Sequence, residues 1–192
     1  MRPFLPSRRF RRLLAPPLAT ALLALSPAVA GAHPVAPCAH ADTPVPAQTA
    51  ETAAHATQCL INHVRRAHGL HALRTAPALH QAAAEHAADM VDHQYFAHDS
   101  LDGRTLTDRD RAVGYVPNAG RWEIGENLAW GTGARSTPDS IVDAWMHSPE
   151  HRRNILTAAF RETGVAVAPG VPESGMLPGA TFVQEFGMRD GG

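Results

Sequence analysis

The spacing of apolar side chains changes character once along the chain, from a helical repeat to strict alternation. Leu60, Ile61 and Val64 precede Gly69 at helical spacing, which predicts a helix of about three turns from near Thr57, with Gly69 as its C′ stop. A second helix opens at Pro77, a favourable first-turn residue, and reaches about His93 with Leu79, Ala83, Ala87 and Met90 on its inner face. Thr105 or Thr107 caps a short third helix that ends near Gly114. Thr137-Pro138 opens a fourth, with Ile141, Val142 and Trp145 inward, and Ser148-Pro149 repeats the device for a fifth carrying His151, Ile155 and Leu156. Residues 163–168 and 180–187 then alternate, so each reads as a strand, with the Pro- and Gly-rich segment 169–179 as the loop of a hairpin. Helices first and paired strands last favour an α+β arrangement over an alternating parallel sheet.

Residues 1–30 stand apart from this pattern. Five arginines precede an apolar run over 13–25, and Ala28-Val29-Ala30 or Ala30-Gly31-Ala32 offers a small-x-small cleavage site. The run is too short to span a bilayer and is interrupted by Pro16 and Pro17, so a removed signal peptide is expected and a permanent anchor is not. Ser7-Arg8-Arg9-Phe10 leaves the general and twin-arginine export routes both open. Residues 31–56, rich in Ala, Pro, Thr and His, read as a flexible tail or linker, and 57–190 as one domain.

Setting the leader aside changes the charge. The rest carries twelve of the seventeen arginines and all eighteen acids, a net −6 with histidines neutral. A mildly acidic domain is poorly suited to nucleic acid or anionic lipid. The two cysteines, Cys38 and Cys59, lie in the exported part, where an even pair reads as one disulfide in place of two free thiols. Closing that loop stabilises the fold by about 3 kcal/mol in the chain-entropy account.

The candidate chemistry lies among the twelve histidines. His147 and His151 are four apart, but Pro149 lacks an N–H and pushes Ser148 out of the helical region, so one helix does not carry both. His147 ends one helix; His151 is third in the next, where the positive end of the dipole resists protonation and keeps a ring fit for metal or hydrogen-bond acceptance. His98 falls in a polar break beside Tyr95 and Phe96, and Glu126 in Gly125-Glu126-Asn127-Leu128, either exposed in a turn or buried with a partner. Trp122 and Trp130 flank that turn as candidate cleft walls, whereas Trp145 reads as core. His86, Met90 and His93 share a helical face that reads as solvated.

YFAHDS, GENLAW, AWMHSPEHRRNIL, ETGVAVA and FVQEFG follow one another as in the CAP superfamily of cysteine-rich secretory, antigen-five and pathogenesis-related proteins. The chain resembles the small bacterial secreted branch over about 57–187. The resemblance implies a three-layer α-β-α sandwich and a central cleft lined by two histidines and two acids. Carried across, the histidines are His98 and His151 and the first acid is Glu126. Ser148 stands where the eukaryotic pattern has its second acid. Ser148, Trp130 and Asn127 are then cleft-lining, and in some relatives the histidine pair holds zinc or another divalent cation.

With such an ion Glu126 serves as ligand or as general base; without it, the three residues form a polar network that fixes the fold. The resemblance implies a secreted, monomeric protein of a bacterium that binds a small molecule, lipid, sterol or cell-wall material. A zinc-assisted hydrolase of peptide or glycan bonds is the enzymatic alternative, and an extracellular interaction module the third.

Overall fold

The computed structural model describes residues 37–190 apart from positions 46 and 177. The expected signal peptide lies outside the described residues.

The first helix, α1, spans Ala50–Ala67 and so begins well before Thr57. Thr49 caps it, its side chain accepting from the Thr52 N–H. Residues 50–56 therefore belong to the packed unit and not to a flexible tail. The face they bury is Ala53, Ala54 and Ala56, small side chains that a search for large apolar residues passes over. Val45 is also in the core, its N–H bonded to the Ser136 carbonyl and its own carbonyl accepting from the Ser136 hydroxyl. The Cys38–Cys59 disulfide is formed, with Cα atoms 5.8 Å apart, and joins this loop to α1 as the even cysteine pair predicts. At the other end Gly69 takes a positive φ of 72°.

The remaining helices follow their sequence signals: α2 Pro77–His93, α3 Leu106–Ala112, α4 Pro138–His147 and α5 Pro149–Leu156. Thr105, not Thr107, caps α3, in a reciprocal box with Asp108. Thr137 caps α4, and the break before Pro149 separates His147 from His151.

The sheet holds more than the hairpin. Four strands, β1 Arg74–Thr75, β2 Trp122–Thr132, β3 Glu162–Pro169 and β4 Gly179–Arg189, lie in the order β1-β3-β4-β2. β1 runs parallel to β3; the other pairings are antiparallel. The long strand β2 replaces the turn that the residues around Glu126 suggest. Its centre, Glu126, Asn127 and Leu128, is buried on both faces, so the period-two contrast that marks a half-exposed strand is absent.

Register assigns the two faces. Glu126, Leu128, Glu185, Val183, Gly164 and Ala166 share one face, because cross-strand partners point the same way. Leu128, Ala166 and Val183 pack there against Ala83, Ala87 and Met90 of α2. Gly164 is required at that approach: a Cβ on it would collide with the backbone of Leu79 and His80. Phe182, Phe186, Val165 and Val167 face the other way, onto Ile61 of α1, Trp145 of α4 and Ile155 of α5. The result is an α-β-α sandwich, within the expected α+β class.

β2 is an edge strand, and two of its carbonyls are covered by side chains and so kept from pairing with another chain. The Trp145 indole N–H donates to the Leu128 carbonyl at 3.0 Å, and the Asn154 amide donates to the Glu126 carbonyl at 3.0 Å. A fully buried arginine locks α5 in place to do this. Arg65 of α1 donates to the carbonyls of His71, Ile155, Thr157 and Phe160, at 2.7–3.2 Å, and so satisfies the orphan carbonyls at the end of α5. Replacing Arg65 with Met strands those acceptors, each costing about 1–3 kcal/mol when buried and unpaired. Urea unfolding of Arg65→Met is expected to show a loss of at least about 3 kcal/mol.

Candidate functional site

The site is built on two neighbouring residues of β2 that point to opposite faces of the sheet. Glu126 faces the α2–α3 side and Asn127 the α5 side. Each is tied to one of the histidines.

On the first side Glu126 is buried and both of its oxygens are engaged. His98 donates from Nδ1 to Oε1 at 2.7 Å, and the Arg109 guanidinium donates from Nη2 to Oε2 at 2.8 Å. Arg109, itself buried, also donates from Nη1 to the His98 carbonyl at 2.8 Å, fixing the backbone of the residue whose ring it faces across the carboxylate. His98 follows the end of α2, where Gln94 turns the chain in a left-handed conformation at φ 54°. Its side chain is 61% exposed, so a ring clamped at Nδ1 still meets solvent. The hydrogen bond to Glu126 raises the His98 pKa, burial opposing it only in part.

On the second side, Asn127 donates to the His151 carbonyl at 3.1 Å and accepts from Asn154 at 2.9 Å, joining β2 to α5. His151 is half-buried, its ring 6.5 Å from that of Trp145. Burial lowers its pKa, and the charge on His98 lowers it further, so the two rings lie within each other's field. The pair is therefore asymmetric: His98 is biased towards imidazolium, His151 towards the neutral ring. The carboxylate on Nδ1 sets His98 apart from His151, the ring that the helix position expects to resist protonation.

Other expectations meet mixed outcomes. Ser148 is half-buried and its hydroxyl makes no capping bond. His147 is exposed and bonds back to the Asp143 carbonyl within its own helix. Trp122 and Trp130 each lie four residues along β2 from Glu126, on the same face of the strand. His86 is not solvated: it is fully buried, donates from Nε2 to the Ala97 carbonyl at 3.0 Å and lies 3.9 Å from Glu126 Oε2. Desolvation lowers its pKa.

The sequence reading missed Arg109 altogether. A signal was present, since α3 (LTDRDRA) has Leu106 as its one large apolar residue and so must bury charge if it packs at all. It buries Arg109 and Asp110. Asp110 in turn meets Glu185, which lies opposite Glu126 across the β2–β4 ladder. No donor reaches any of the four oxygens of Asp110 and Glu185 when both are carboxylates. A proton held between them would supply the missing donor, and burial raises both pKa values, that of Glu185 well above its ordinary value.

A divalent ion can be weighed against this donor set. His98 and His151 offer imidazole nitrogens, and a carboxylate on Nδ1 is the usual outer partner of a ligating histidine. Glu126 does not fit as a third ligand, because Arg109 and His98 occupy it and its oxygens do not converge with both rings.

A model of the cysteine-rich secretory protein (CAP) family matches residues 59–186. The chain belongs to that family. Two curated relatives come from Bacillus subtilis (strain 168): the uncharacterized protein YkwD, 34% identical over 127 residues, and the uncharacterized membrane protein YlbC, 31% identical over 108 residues. The matches cover 66% and 56% of this chain but only 44% and 29% of those relatives. Among solved structures, an extracellular protein containing an SCP domain from Bacillus anthracis superposes with a TM-score of 0.56 at 27% identity, over 72% of this chain and 43% of that one. An outer surface protein of Borrelia burgdorferi shares the CAP fold at 22% identity, with a TM-score of 0.56 over 69% of this chain and 90% of that one.

The Asp110–Glu185 pair sets a sign for the pH dependence of this CAP domain. Both pKa values are raised on folding, so their stabilising contribution is complete below the unfolded carboxyl range, about pH 4, and is lost as pH rises through the folded values. Denaturant titrations of the wild type and Asp110→Asn are expected to show the stability gap between them shifting in favour of Asn as pH rises above about 4. A pH-independent gap contradicts the shared proton.

Proposed function

We propose that this chain is an exported ligand-binding CAP domain whose cleft over the β2 edge grips an oxygen-bearing group between His98 and His151. The observation that carries this reading is the engagement of both Glu126 oxygens. A carboxylate held by an arginine and an imidazole is a poor proton acceptor, but it fixes one ring as a donor. His151, biased neutral, supplies an acceptor beside it. A ring biased towards the charged donor form next to one biased neutral suits carboxylates and hydroxyls, which favours cell-wall glycan or peptide fragments over sterols or lipid chains. Export is supported by the arginine-rich, apolar N-terminus, by the disulfide and by the extracellular settings of structural relatives. Among the described residues, no helix is long and apolar enough to cross a membrane.

A zinc-assisted hydrolase draws support from the carboxylate on His98 Nδ1. Two imidazoles would hold such an ion, which would polarise a substrate oxygen there. The count is one protein ligand short of the open catalytic sites of zinc enzymes, and Glu126 is not free as a base. Binding without turnover is the better-supported reading.

Calorimetric titration with soluble muropeptides from digested peptidoglycan tests it. Binding is expected to weaken at least tenfold in His98→Ala and in His151→Ala, and to weaken in the wild type as pH rises through the raised His98 pKa. Binding unaffected by both substitutions removes the cleft from the account. Cleaved muropeptides detected by mass spectrometry, and absent with His98→Ala, replace it with the hydrolase.

A further inference from the structure

The disulfide has a third member. Cys59 and His63 lie one turn apart on α1, and the His63 ring rests against the bridge: Cys38 Sγ is 3.7 Å from Nδ1 and 3.9 Å from Nε2, and Cys59 Sγ is 3.9 Å from Nε2. One ligand atom from each of Cys38, Cys59 and His63 falls within 4.8 Å of the others, the only such group of three among the described residues. All three side chains are half-buried, and a surface hollow lined by Ala39, His40, Thr52, His55, Ala56 and Cys59 opens beside them.

We infer that reduction of Cys38–Cys59 creates a Cys2His site for a soft divalent cation such as zinc, with water completing the coordination. A tetrahedral centre with Zn–S about 2.3 Å and Zn–N about 2.0 Å needs sulfur-to-nitrogen distances of about 3.6 Å. The observed distances are already close to that, and only the two sulfurs must part once the bond between them is gone. The loop that carries Cys38 is held by other contacts besides the bridge. The Asp139 N–H donates to the Ala41 carbonyl at 2.9 Å, Ser136 and Val45 exchange two hydrogen bonds, and Val45 fills the core.

The chemistry balances with a thiol as reductant, or with a phosphine that takes the oxygen of one water to become its oxide while that water's two protons go to the cysteine sulfurs. Two external thiols give their electrons and protons to the bridge, leaving two cysteine thiols and one external disulfide. A divalent cation then displaces one proton from each thiol, and two thiolates with a neutral imidazole make an uncharged complex. The site is separate from the His98–His151 cleft in sequence, elements and ligand type. It makes metal capture conditional on the redox state of the surroundings: closed as a disulfide in oxidising medium, open under reduction.

Cobalt(II) titration of the full purified protein, reduced with a phosphine under nitrogen, tests the inference. Reduced wild type is expected to develop the near-ultraviolet thiolate-to-cobalt band at one equivalent, and the oxidised protein is not. His63→Ala is expected to weaken binding at least tenfold, and Cys38→Ser to abolish the band. His98→Ala with His151→Ala is expected to leave it intact, which separates this site from the cleft. Circular dichroism of the reduced protein is expected to keep the native spectrum. No thiolate band, a band indifferent to His63→Ala, or loss of fold on reduction before metal is added each overturns the inference.

Discussion

A carboxylate withdrawn from water inside a protein must be matched by donors, and Glu126 is the point at which this fold meets that constraint. Arg109 neutralises it, His98 completes it, and the Arg109 bond to the His98 carbonyl closes the group into a ring of contacts spanning α3, β2 and the loop after α2. Removing one partner leaves the other charge stranded, so the arrangement persists as a unit or not at all. The exposed ring of His98 is consequently held in place and biased in charge by residues that solvent barely reaches.

The surrounding fold serves that unit from both sides. Gly164 lets the start of α2 press onto the sheet, and Arg65 pins the end of α5. Asn127 and Asn154 then fasten α5, and with it the backbone of His151, to the edge strand. Below Glu126, the Asp110–Glu185 pair adds two more buried carboxyls to one sheet face. Three acids and one arginine share that buried layer, and burial raises the pKa values of Asp110 and Glu185.

Much of this architecture was legible in the residues. Pro77, Thr137-Pro138, Ser148-Pro149 and Gly69 mark helix ends by backbone chemistry that tertiary context does not overrule, and they fell where expected. What escaped was whatever lacked a periodic contrast. Residues 50–56 bury only alanines, and the centre of β2 is covered on both faces, so neither gave a signal. His98, Glu126 and His151 were found through the resemblance, since spacing alone did not single them out. The role of Glu126 depends on Arg109, seventeen residues earlier, and no local pattern reveals a contact between a short helix and a strand. The neutrality of His151 was expected from the helix dipole, whereas burial and the neighbouring His98 are its causes in the structure.

The two imidazoles are unequal: a carboxylate raises the pKa of His98, and burial beside it lowers that of His151. Long-range proton–nitrogen NMR of the histidine rings, followed through a pH titration, reads that inequality directly. The account predicts that His98 titrates above the ordinary value of about 6.5 with its proton on Nδ1 facing Glu126, and that His151 titrates below it. Two rings titrating together at the ordinary value, or in the reverse order, would contradict it.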